Sequence, residues 1–173
     1  VLAVVMVASA TAWGADTAAA AAPYCGITWG SAMKRAPATD VAPLAGVRGG
    51  RHGCYDRLVL DMRAPGADGY RVRYVKKVLA DASGTVVPLR GGAELEIVAQ
   101  APAYDENGQA TFVPGNESEL VDVTGWRTFR QVAWAGSSEG QSTVGLGVRA
   151  KLPFRVFTLS GGQRLVIDVA HRW

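Results

Sequence analysis

The residues able to do chemistry fall into three groups. Cys25 and Cys54 are the only cysteines in the 173-residue chain. In an oxidising compartment an even pair reads as a disulfide. Such a bond would pin Gly26 to Gly53, a stretch rich in glycine and proline with little periodicity of its own. Two other chemistries are open to the same residues. A nucleophilic thiolate needs a base, and His52 is close in sequence, but the two make no recognised catalytic signature. Cys25, Cys54, His52 and His171 are ligand types that zinc accepts, without a fixed ligand spacing. The expectation is a Cys25–Cys54 disulfide, with no metal and no cofactor.

The second group is the carboxylates placed in strands: Glu94, Glu96, Asp61 and Asp168. The last two occupy equivalent points of one repeated pattern, Arg57 to Met62 (RLVLDM) and Arg164 to Val169 (RLVIDV). Convergent carboxylates would make an acid/base pair. As structural groups, each would instead meet an arginine such as Arg57, Arg164 or Arg172. Repetition favours the structural reading, because an active site is seldom written twice in one small domain. There is no Ser-His-Asp order, HExxH or phosphate loop, and an enzyme is not expected.

The third group is aromatic and basic. Trp29, Trp126, Trp134 and Trp173 share their stretches with Arg127, Arg130, Arg149 and His171. An exposed ring stacks on the C–H face of a sugar, and a neighbouring arginine holds a carboxylate bidentately. Buried aromatics also dominate small β cores. Trp134 alternates with Val132 and is expected in the core, while Trp29 and Trp126, near turns, suit core rim and surface equally. Arg127 and Arg130 fall on opposite strand faces, so they do not both line one groove. The candidate ligand-binding residues are Trp29, Trp126, Arg127, Arg149 and His171.

The elements that must position these groups are strands. Alternation predicts strands at 57–63, 70–80, 85–89, 93–99, 126–135, 142–149, 154–159 and 164–169. A slip of apolar phase places a bulge near Val75–Lys76. Gly145 and Gly147 leave one strand face bare, inviting close approach, with Trp134 the expected cover. Residues 102–119 read as a long surface loop, and 26–53 hold no good strand run. No stretch shows a convincing helix. The pattern is that of an all-β antiparallel β-sandwich, or a partly closed barrel, with pseudo-repeated strand pairs.

The length suits one domain and an extra segment. The formal net charge is +3 and the basic residues are dispersed, which argues against a nucleic-acid partner. Val1 to Ala8 (VLAVVMVA) is a short apolar run followed by small residues. It reads as part of a secretory signal peptide, with Ala10-Thr11-Ala12 or Ala12-Trp13-Gly14 as the cleavage region. An alanine-rich linker follows. The expected division is 1–22 for signal remnant and linker and 23–173 for the domain. Membrane contact is expected only through an uncleaved signal segment.

CGITWGS (25–31), RHGCYDRLVLD (51–61), YRVRYV (70–75), APAYD (101–105), GWRTFRQVAWAGSSEGQSTVGLGVRAKLPFRVF (125–157) and RLVIDVAHRW (164–173) together resemble the AMIN-like domain of exported bacterial proteins. That domain is named for similarity to the AMIN domain, a β-sandwich that localises amidases and secretins to the periplasm or cell wall. The resemblance implies a secreted, cell-envelope module that binds or targets without catalysis of its own. Peptidoglycan, with its lactyl and peptide carboxylates, would suit an arginine–aromatic surface. The alternative is a structural domain whose partner is another envelope protein, presenting a sheet edge or apolar patch.

Overall fold

The computed structural model describes residues 23–173. The expected signal remnant and linker, 1–22, lie outside the described residues. Nine strands follow in order: β1 (Lys34–Ala36), β2 (Leu44–Arg51), β3 (Tyr55–Met62), β4 (Tyr70–Val75), β5 (Ala93–Ala99), β6 (Phe129–Ser138), β7 (Gln141–Val148), β8 (Phe154–Leu159) and β9 (Arg164–Ala170). They form a five-stranded sheet, β1-β4-β5-β7-β6, and a four-stranded sheet, β2-β3-β9-β8. Every strand pairing is antiparallel. The architecture is the expected antiparallel β-sandwich.

Alternation builds the core. Leu58 and Leu60 on β3 and Ile167 on β9 meet Leu95 and Ile97 on β5 and Val144, Leu146 and Val148 on β7, all fully buried. Residues i and i+2 of a strand share one face, so each apolar series commits its neighbours to the outside. Ser160, Gly161 and Gly162 close the β8–β9 hairpin with φ of 54°, 64° and 92°. Glu139 and Gly140, at φ 49° and 78°, close β6–β7, so that turn is shorter than the Gly136–Gly140 stretch suggests.

Several expectations are corrected. The stretch 26–53 contains β1 and all of β2. The strand expected over 70–80 ends at Val75, and no bulge follows. Instead the Glu94 carboxylate accepts the Val78 amide at 2.9 Å and Lys77 Nζ at 2.7 Å, drawing the chain out of the sheet. The run 85–89 contributes only an isolated bridge, Leu79 to Val86. β6 begins at Phe129 rather than 126, because the Asp56 carboxylate captures the Thr128 and Phe129 amides at 2.7 and 3.0 Å.

The bare strip on β7 is covered, but not by Trp134, which packs edge-on to Phe112 at 5.3 Å. A Cβ at Gly147 would sit 2.0 Å from the Arg90 carbonyl oxygen, and one at Gly145 would sit 2.9 Å from Leu89 Cδ1. The segment carrying Leu89 and Arg90 thus lies directly on the outer face of the five-stranded sheet and closes part of it. Gly147→Ala is expected to cost about 1–3 kcal/mol through forced backbone displacement. Gly115→Ala, where nothing lies within 4 Å, is expected to leave stability nearly unchanged. Paired thermal melts check both.

A row of two arginines and one aspartate

β3 and β9 pair with Arg57 opposite Asp168, Val59 opposite Val166 and Asp61 opposite Arg164. The two RLV-D copies therefore lie against each other, each placing its arginine opposite the other's aspartate in register. β8 then brings Arg155 opposite Asp168 from the other side. Because Leu58, Leu60, Leu165 and Ile167 fill the core, the intervening residues face outward. Tyr55, Arg57, Asp168, Arg155 and Phe157 share the outer face of the four-stranded sheet.

Asp168 is fully buried. Arg57 donates Nε to its Oδ1 at 2.6 Å and Nη2 to its Oδ2 at 2.8 Å. Arg155 donates Nε to Oδ2 at 2.8 Å, with Nη2 also 2.8 Å away. The hydrogen bond to Asp168 raises the Arg57 guanidinium above its ordinary pKa, against the opposing effect of burial. Two cations share one anion, so the row keeps a net positive charge. The arginine side chains remain 22% and 31% exposed while the carboxylate has no exposure. What the row presents to solvent is arginine side chain, not carboxylate.

Rings bracket the row. The Arg57 guanidinium carbon lies 5.2 Å from the Tyr55 ring centre and 5.5 Å from that of Phe157. For Arg155 the distances are 5.7 Å to Trp29, 5.4 Å to Tyr55 and 5.0 Å to Phe157. These fall within cation–π range. Arg57 Nη2 also donates to the Tyr55 hydroxyl at 3.2 Å, and His52 stacks on Tyr55 at 4.6 Å. Trp29 reaches the row because Cys25 and Cys54 are bonded, as expected, fixing the Tyr24–Trp29 segment beside Tyr55. Trp29 Nε1 donates to the Tyr24 carbonyl at 2.8 Å, which orients the indole. The bond leaves neither sulfur available as a nucleophile or metal ligand.

Of the five candidate binding residues, Trp29 alone belongs to this row. His171 is largely buried, with Nδ1 2.9 Å from Thr128 Oγ1 and Nε2 2.9 Å from the His52 carbonyl. A carbonyl only accepts, so Nε2 carries a proton. Arg149 donates to the His171 carbonyl at 2.7 Å. Arg127 is exposed and lines a small cavity with His171. Trp126 stacks on Phe129 at 5.7 Å and lies over Gly49, half-buried. Arg130 donates to the carbonyls of Trp126, Arg127 and Phe129 and ties up that turn.

The expected aspartate pairings hold for Asp168 with Arg57 and need correction elsewhere. Asp61 receives Arg48, at 2.7 Å from Nε and 3.1 Å from Nη2. Arg164 lies opposite Asp61 in register, but its Nη2 donates to Ser160 Oγ at 2.6 Å. Arg172 lies over Tyr24 at 4.7 Å. Sequence reasoning left out Arg155, Phe157 and Tyr55 as surface groups. The signal that finds them is the duplicated RLV-D pattern taken as an antiparallel pair.

The fold and this surface define a small all-β module with one sheet face partly closed by its own chain and the other carrying an arginine–aromatic row. The AMIN-like domain family model matches residues 42–171, and the chain belongs to that family. A search of curated proteins and a search of solved structures each found no match. Family membership associates the chain with the cell envelope. The disulfide fits an extracytoplasmic compartment.

Proposed function

We propose that this is a non-catalytic binding module of the cell envelope whose ligand is a wall polymer bearing carboxylates, such as peptidoglycan. The observation that carries the reading is the Arg57–Asp168–Arg155 row bracketed by Trp29, Tyr55 and Phe157. The buried aspartate pre-orients both guanidiniums, so little side-chain freedom is lost when a carboxylate arrives. The rings offer flat apolar faces for sugar C–H groups. Catalysis is not proposed: both Asp168 oxygens are engaged by arginine, and Asp61 is engaged by Arg48.

The test is co-sedimentation of the oxidised protein with insoluble peptidoglycan across a salt series. Retention is expected at low salt and should fall as salt screens the guanidiniums. Arg155→Ala is expected to reduce it about tenfold, the worth of one charge-assisted contact. Absence of retention at every salt concentration would remove the polymer reading.

A second reading, an envelope protein partner, is favoured by one feature. Val41, Pro43, Pro102 and Tyr104 line a groove of about 450 Å³, and Val41 is 51% exposed. A polymer that fails to bind, together with a partner protein whose association is weakened by Val41→Asp, would support it.

A further inference from the structure

We infer that a second, separate site in this domain takes a zwitterionic amino-acid head group, an ammonium and a carboxylate carried close together. The site is a cavity of about 230 Å³ where the β2–β3 turn, the segment entering β6 and the end of β9 meet. Its charged walls are Asp56, Arg51 and Arg127, with His52 and His171 beside them.

Asp56 carries the inference. It is 1% exposed, on an inward position of β3. Its Oδ2 accepts the Thr128 amide at 2.7 Å and the Phe129 amide at 3.0 Å. No partner engages its Oδ1 among the described residues, and the residue lines the cavity. A carboxylate held rigid through one oxygen at a cavity wall, with no partner on the other, is a fixed acceptor for a cationic donor.

The opposite sign is supplied by Arg51 and Arg127. Both are exposed, and neither forms an ion pair or side-chain hydrogen bond among the described residues. His171 adds no free donor, because both ring nitrogens are engaged. A bare cation would meet Asp56 but be repelled by two guanidiniums. A bare anion would meet the guanidiniums but be repelled by Asp56. A small group carrying both charges satisfies all three side chains. At about 230 Å³ the cavity lies below the usual range of drug-sized ligand pockets and suits a single small group.

The test is NMR titration of the oxidised, isotope-labelled full chain with alanine of either hand, N-acetylalanine and alaninamide. Alanine is expected to shift the amide signals of Thr128, Phe129 and Arg127 saturably. N-acetylalanine lacks the ammonium and alaninamide lacks the carboxylate, so each is expected to bind at least about tenfold more weakly. Arg127→Ala is expected to weaken alanine by about tenfold as well, and it risks no buried contact. Asp56→Asn keeps an oxygen for the two amides and removes the charge, so saturable shifts should vanish. Shifts absent at millimolar alanine would overturn the inference, as would analogues that bind as well as alanine. The wall-polymer reading stands or falls independently, because Arg155→Ala should leave this titration unchanged.

Discussion

Asp168→Ala is expected to lower stability by about 3–5 kcal/mol, the usual result of removing one member of a buried ion pair. The carboxylate has no exposure and accepts three guanidinium hydrogen bonds from two strands of the same sheet, with a fourth guanidinium nitrogen 2.8 Å away. Without it, Arg57 and Arg155 face each other across β9, half-buried and unneutralised, flanked by Tyr55 and Phe157. At about 2–4 °C per kcal/mol for a domain of this size, the melting temperature falls by roughly 10 °C. Asp168→Asn keeps the shape and removes the charge, so it should lose nearly as much. Asp61 is the internal comparison. It sits at the equivalent point of the other RLV-D copy, but its side chain is 31% exposed and it pairs with Arg48, itself 56% exposed. Solvent screens that pair, and Asp61→Ala is expected to cost no more than about 1 kcal/mol. Thermal melts of the two variants decide the matter: equal losses would mean that the row is not the buried electrostatic unit described above.

Removing the disulfide is the second large effect. The bond joins residues 29 apart, and the chain-entropy model assigns about 3–4 kcal/mol to closing such a loop. The expected consequence extends to the binding face. Tyr24 to Trp29 makes few ties to the sandwich, and the next anchor is the Gly30 carbonyl, which accepts the Phe154 amide at 2.9 Å. With Cys25→Ser and Cys54→Ser together, Trp29 loses its fixed place over Arg155 while Arg57 and Arg155 keep theirs. Polymer retention should therefore fall, yet remain above that of Arg155→Ala. Denaturant unfolding and co-sedimentation, each with and without reductant, check both halves. Undiminished retention in a protein that has lost its predicted stability would show that Trp29 contributes nothing to binding.

Much of the sandwich was legible because β3, β5, β7 and β9 each place an apolar core residue at every second position: Leu58 and Leu60, Leu95 and Ile97, Val144 and Leu146, Leu165 and Ile167. β2 was not, and the reason is physical. Three of its residues are Gly46, Gly49 and Gly50, and a Cβ at Gly49 would sit 2.9 Å from Trp126 Cη2. The glycine answers to a ring far along the chain, so no local pattern announces the strand. The same logic explains β7: its bare face did signal close approach, but the approaching group is the Arg90 backbone, which carries no side-chain signature.

The site divides similarly. The Cys25–Cys54 bond could be read from composition and compartment, and Trp29 from its type. The rest depends on strand order. Arg155 and Phe157 alternate outward on β8, but their meeting with Tyr55 and Arg57 needs β9 between them in one register. The repeated RLV-D pattern contained that register. Two copies paired antiparallel place each arginine opposite the other's aspartate, and Asp168 acquires its structural role there, while Asp61 takes Arg48 from β2 instead.

The most direct test of the binding face is NMR mapping with soluble peptidoglycan fragments on the oxidised protein. The account predicts that perturbed signals cluster on the Trp29 indole and on Tyr55, Arg57, Arg155 and Phe157. Signals from Arg71 and Arg73, which pair with Glu96 on the five-stranded sheet, should stay in place. Perturbations confined to that opposite sheet, or to the groove between Val41 and Tyr104, would contradict it.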